Sequence, residues 1–237
     1  MTPYDKLMAR KRKWTPVKPV AGQCKEGAEE TIHRALALRH MELPVGDFIT
    51  DALSTEVPEK SRKLLISNVR DEENHDLALG YIANAYGVDP QAEKEAMALR
   101  KAWTSHPDHT VLKAMVAERA IFFVLLPFFR FNGDAAMRTT SADISRDEQI
   151  HVATNSLVCR ELGLDISPSL DKLRKATINW VMQPLTKSED KFLDKKFWLD
   201  SSDRLMYEGK APELSATRAG RMPAFFEHSN TNLPMYA

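Results

Sequence analysis

The sequence predicts an all-α protein centred on four long helices, arranged as two related helical hairpins. Three observations predict it. Glycine is scarce, 9 in 237 residues, and alternating β-branched runs are few, so strands have little to build on. Apolar residues recur at helical spacing, as in Ile32, Ala35, Leu36, Leu38, Val45, Phe48, Ile49 and Leu53. A frame also repeats: Arg70-Asp71-Glu72-Glu73-Asn74-His75 returns 76 positions later as Arg146-Asp147-Glu148-Gln149-Ile150-His151.

Taken in order, residues 1–23 carry Lys6, Arg10, Lys11, Arg12, Lys13 and Lys18 among Pro3, Pro16 and Pro19. They read as an irregular, solvated basic arm on the outside. The first long helix is expected from about Lys25 to Leu53, kinked beside Glu42 because Pro44 removes a backbone hydrogen bond. Ser54 to Pro58 is the turn, centred near Glu56, with Ser54 or Thr55 as N-cap. The second helix runs from about Pro58 to Tyr86 and stops at Gly87. Asp89-Pro90 opens a partly buried connecting helix, Gln91 to Thr104. The third bundle helix spans His109 to Phe131. The fourth spans Asp134 to Leu162 and stops at Gly163. Ser167-Pro168 starts a further helix reaching Met182, a short helix follows within Glu189 to Tyr207, and the last thirty residues are expected to wrap the bundle or a neighbouring subunit. The expected domains are therefore a basic arm (1–23), a helical bundle with its connecting helix (24–165) and an accessory helix with an irregular tail (166–237).

The charge sums to zero, 33 basic against 33 acidic residues. That gives no overall reason to expect nucleic acid or an anionic membrane as partner. Cys24 and Cys159 form no framework and no C-x-x-C, which suits a reducing cytoplasm and excludes a four-cysteine iron site. The basic N-terminus lacks an apolar core, so no signal peptide is expected. The most apolar run, Ala120 to Phe129, is too short to span a bilayer.

The repeat carries the chemistry. A Glu and a His three apart share one helix face. Glu42 lies 30 residues before Glu72, and Glu118 lies 30 before Glu148, so E-x29-E-x-x-H occurs twice in register. Gly87 and Asp89 match Gly163 and Asp165 at the same offset. At ~1.5 Å per residue, both acids of each hairpin stand roughly 22 Å from their turn and meet at one height. Pairing the hairpins brings four carboxylates and two imidazoles together. Four carboxylates in an apolar interior are prohibitively costly unless cations compensate them. Two divalent ions supply four positive charges, and this donor set suits iron and manganese.

This pattern, with an Asp before each second Glu, resembles the ferritin-like di-iron carboxylate superfamily over about residues 25–165. The length and the absence of added domains look most like its small-oxygenase end, near aldehyde-deformylating oxygenase. The resemblance implies a ferritin-like four-helix bundle with extra helices and a long C-terminal extension. Glu42 and Glu118 would be single-carboxylate ligands, and Glu72 with His75 and Glu148 with His151 would complete two metal shells. Asp71 and Asp147 would each accept a hydrogen bond from the opposite hairpin's imidazole, and Arg70 and Arg146 would either balance those aspartates or stand as solvated charges on the helix face. Two iron ions, or a manganese–iron pair, with O2 as co-substrate, a small-molecule substrate and an external electron donor are the implied partners. A homodimer is left open.

Within that group a radical generator needs a tyrosine one turn past the first His, but Leu79 and Asn155 stand there. A ferroxidase would use the same six ligands with less chain around them. An oxygenase needs an apolar pocket, for which Gly46, Ile121, Phe122 and Leu125 are the candidates. A bundle that binds metal only for stability is the non-enzymatic alternative. His33, His40, His106, His109 and His228 read as surface or capping residues, and Cys159 as a buried apolar one.

Overall fold

The structure is a computed structural model that describes residues 1–55 and 57–214. Among the described residues helices are the only regular elements, with no strand. No described helix is long and apolar enough to cross a membrane.

The N-terminus departs from the expected irregular arm. Pro3–Met8 forms helix α1, because Thr2 and Asp5 cap it reciprocally and Pro3 presets its first turn. Tyr4 and Leu7 are buried, and the Tyr4 hydroxyl donates to Glu161 at 3.1 Å. The expected first long helix is in fact two, α2 (Glu29–Ala37) and α3 (Glu42–Leu53), joined by a tight 3₁₀ turn over Leu38–Met41. Pro44 has no N–H for the His40 carbonyl and its ring crowds that oxygen, so the chain tightens just before Glu42. Ser54 and Thr55 do not cap the next helix. Their hydroxyls donate to the Asp51 and Ala52 carbonyls and so close α3. Helix α4 (Arg62–Tyr86) accordingly starts later than expected, after a 3₁₀ turn at Glu59–Ser61. Glu56 lies outside the described residues.

Helix α5 (Pro90–Thr104) is capped by Asp89, whose side chain accepts from the Gln91 and Ala92 amides. Helix α6 (Thr110–Ala117) is capped by His109. A π-helical turn over Glu118–Phe122 leads into α7 (Phe123–Asn132), where a single third helix was expected. Helix α8 (Ala135–Glu161) is capped by Asp134. It ends with the Leu164 amide donating to the Cys159 carbonyl at 2.9 Å, around Gly163 at φ +63°. Gly87, at the matching place after α4, also has a left-handed backbone. Helices α9 (Pro168–Val181) and α10 (Lys195–Tyr207) follow. The expectation that the final residues wrap the bundle falls, from 215 on, outside the described residues.

Helix α3 packs on α4, the α6–α7 unit packs on α8, α3 packs on α6, and α4 packs on α8. Helix α10 lies on α7 and the π turn, and α9 touches α2, α5 and α6. Between these elements the core is aromatic. Trp198 meets Phe128 edge-on at 5.2 Å, and Phe131 stacks on Phe192 at 4.1 Å.

Candidate metal centre

The repeated helices α4 and α8 face each other, and each aims one turn of side chains inward. Glu72, His75, Glu148 and His151 have ligand atoms all within 4.8 Å of one another, and all four are buried. Glu42 reaches this group from α3, 3.8 Å from His75 Nδ1. Glu118 reaches it from the π turn, 3.8 Å from His151 Nδ1. All six expected residues therefore meet. Each imidazole presents Nδ1 to the carboxylates: His75 Nδ1 is 3.4 Å from Glu72 and 3.2 Å from Glu148, and His151 Nδ1 is 2.9 Å from Glu72 and 3.7 Å from Glu148.

The other ring nitrogens point outward. His151 Nε2 lies 2.9 Å from Asp71, and His75 Nε2 lies 3.4 Å from Asp147. Each aspartate thus contacts the imidazole of the opposite hairpin, as the resemblance implied. An Nε2–H donor fixes the tautomer that leaves Nδ1 with a free lone pair. The arginine assignment is corrected. Arg70 and Arg146 are exposed. Asp71 instead pairs with Lys11, and Asp147 receives the Trp14 indole N–H at 2.6 Å and lies 3.7 Å from Arg12 Nε. Position 70 or 146 precedes its aspartate by one residue, a turn of about 100° around the helix, and so faces solvent instead.

Two features escaped the sequence reading. Asn155, noted only for not being tyrosine, donates from Nδ2 to Glu118 Oε2 at 2.7 Å. Its counterpart Leu79 offers no such bond, so the two halves of the centre are unequal. The π turn that carries Glu118 has no sequence signature comparable to a cap or a proline rule.

The pocket expectation is also revised. Ile121, Phe122 and Leu125 are packed in the core. A Cβ on Gly46 would touch the Glu72 stem at 3.5 Å, so this glycine admits the neighbouring ligand helix rather than opening space. Cys159 is buried as expected, and burial with the nearby Glu118 charge pushes its thiol up to about 12. His40 and Arg39 both pair with Glu93 of α5, away from the centre.

The electrostatics are those of a site short of positive charge. Burial, then neighbouring carboxylates, push Glu42 and Glu118 well above the usual carboxylate range. Burial also raises Glu148, against the pull of His151. Burial raises Glu72 as well, but the charges of His151 and His75 outweigh it and hold its carboxyl low. Burial lowers His151, yet Glu148, Glu72 and Asp71 together lift it to about 10. His75 is raised by Asp147, Glu148 and Glu72 against the same burial.

The donor set fits a pair of cations on a direct observation. Glu42 Oε2, Glu118 Oε1, both oxygens of Glu72 and of Glu148, and Nδ1 of both histidines are buried and make no aligned hydrogen bond. Buried polar atoms are rarely left so. Here eight of them converge on one small volume, and hard carboxylate oxygens with imidazole nitrogens are what divalent iron or manganese takes. Compared with known proteins, the chain matches no family, no curated protein and no solved structure.

Proposed function

We propose that this chain is a ferritin-like four-helix bundle holding a di-iron or manganese–iron centre, and that it uses O2 to oxidise a small apolar substrate with electrons from an external donor. The observation that carries the reading is the inward convergence of eight buried atoms that make no aligned hydrogen bond, from Glu42, Glu72, His75, Glu118, Glu148 and His151. A reduced metal pair supplies O2 activation when bound. The chain's own residues do the rest. Glu72 and Glu148 lie between the imidazoles and, with His75 and His151, would hold the cations. Glu42 and Glu118 close the two ends. Asp71 and Asp147 orient the rings, and the apolar residues after Glu118 exclude water from that side.

The test is anaerobic loading with Fe(II) followed by exposure to O2. The expected result is two irons per chain, O2 uptake and the absorbance of an oxidised iron pair. Glu118→Ala is expected to lower iron stoichiometry while the chain stays folded. A chain that stays metal-free at neutral pH defeats the reading. One that binds iron without consuming O2 shifts it to a metal used only for stability.

A further inference from the structure

Residues 11–25 contain neither helix nor strand, yet their side chains reach the back of the metal centre. Lys11 pairs with Asp71. Arg12 donates to the Asp143 carboxylate at 3.0 Å and the Asp143 carbonyl at 2.6 Å, and lies beside Asp147. The Trp14 indole donates to Asp147 and stacks over His75, with ring centroids 6.2 Å apart. The Trp14 carbonyl accepts from Asn74 of α4 at 3.4 Å, so Trp14 ties α4 to α8. Farther on, Lys18 sits over the Tyr81 ring and the Gly22 amide donates to Asp134.

Each aspartate is therefore held from both sides, by an imidazole within and by this segment without. The Lys11 side chain is only 10% exposed and that of Asp147 only 1%. A lysine is seldom so covered unless its charge is answered, which marks a fixed seat rather than a solvated arm. The segment has no backbone ladder to hold it. Its attachment rests on scattered ties, most of them involving a side chain, which open at lower cost than a helix does.

We infer that residues 11–14 form a latch: Lys11, Arg12 and Trp14 are positioning residues that hold both imidazoles through Asp71 and Asp147 and set the rate at which metal leaves. The inference rests on the metal reading above. With the latch seated, water is kept from the outer edge of the aspartates and their bonds to the imidazoles are strengthened. With it lifted, Asp71 and Asp147 lose their outer partners and hold the rings less firmly, so Nδ1 is less firmly aimed at the cations.

The experiment loads the full chain with Mn(II), adds excess chelator and follows metal loss, with the melting temperature of the metal-free protein measured alongside. Trp14→Phe removes the indole donor and keeps a smaller aromatic ring beside His75, and Lys11→Met removes the charge and keeps the apolar stem. Both are expected to lose Mn(II) at least about tenfold faster than the parent, the scale on which such outer partners act, with metal-free melting points nearly unchanged. Lys11→Arg should restore slow loss. Arg12→Lys, which keeps the charge but not the fork between Asp143 and Asp147, serves as a further variant should another fail to fold. Loss rates equal to the parent's, or raised only as far as stability falls, overturn the latch while leaving the metal centre standing. A parent chain that takes up no Mn(II) overturns both.

Discussion

Asn155 and Leu79 hold equivalent places in the two halves, and this one difference makes the centre lopsided. Glu118 is steered by an amide donor at 2.7 Å, whereas Leu79, at the same place after His75, offers Glu42 no donor. A carboxylate with a fixed orientation loses less entropy on binding a cation. The ion beside Glu118 and His151 should therefore be the tighter of the two. Asn155→Leu, which copies the other half, is expected to weaken that ion by about 10–100-fold and to bring the two binding steps of a metal titration together. Steps that stay as far apart as in the parent would refute the asymmetry. The ligands themselves were legible because Glu and His declare their chemistry and their spacing repeats. Asn155 was not, because an asparagine in a helix carries no signal until its partner is known. Arg70 and Arg146 could be read from the sequence either as partners of the aspartates or as solvated helix-face charges, and only the packing decided for the second.

The π turn at Glu118–Phe122 sets the height and direction of Glu118. A π turn leaves part of the backbone without its ordinary helical partner, and a neighbouring element supplies one. The Ser202 hydroxyl on α10 donates to the Ala120 carbonyl at 2.7 Å and accepts from Arg174 Nη1 on α9 at 2.7 Å. Arg174 is fully buried and is held by Asp171 and Asp203, and Arg119 within the turn donates to the Leu205 carbonyl at 2.8 Å. The region after α8 thus braces a ligand-bearing turn. Ser202→Ala leaves a buried carbonyl and a buried guanidinium group each short of a partner. It is expected to cost about 1–3 kcal/mol, seen as a lower denaturant midpoint at unchanged slope, and to loosen metal binding on the Glu118 side. Unchanged stability and unchanged metal binding would mean that α10 plays no such part. At this scale the helix ends at Gly87 and Gly163 were readable from glycine alone, and Pro44 announced a kink beside Glu42 though not the full division into α2 and α3. The late start of α4 was not, since a Ser or Thr hydroxyl can accept from amides of a following helix or donate back to carbonyls of the preceding one, as Ser54 and Thr55 do.

For the whole molecule the centre is a proton store when it lacks metal. Burial with carboxylate crowding raises Glu42 and Glu118, burial raises Glu148, and the surrounding acids raise His75 and lift His151 to about 10, while Glu72 and, behind it, Asp147 go down. The folded, metal-free chain therefore holds more protons than the unfolded one. The sign follows: the His151 contribution is complete below its unfolded value near 6.5 and is lost as pH rises toward 10. Metal-free stability should fall from pH 6 to pH 9. Metal affinity should rise over the same range, because each cation must displace protons. Scanning calorimetry at several pH values, with chelator or with Mn(II), reads both trends. At a metal concentration a hundredfold above Kd the gain is about 2.7 kcal/mol, or about 5–10 °C for a chain of this size. Parallel pH profiles with and without metal would contradict the scheme.

The sequence by itself determined the helical class, the two-fold repeat and the six Glu and His positions that meet in the core. Helical periodicity and the spacing of Glu and His are local properties that survive without knowledge of neighbours. Only the tertiary structure decided what stands behind those ligands: Lys11, Arg12 and Trp14 on the aspartates, Asn155 on Glu118, and Ser202 under the π turn. Lys11 meets Asp71, Trp14 meets Asp147 and Ser202 meets Ala120 across large distances in the chain. Such pairings follow from which surfaces the packed helices bring together, and residue type and local spacing do not encode that.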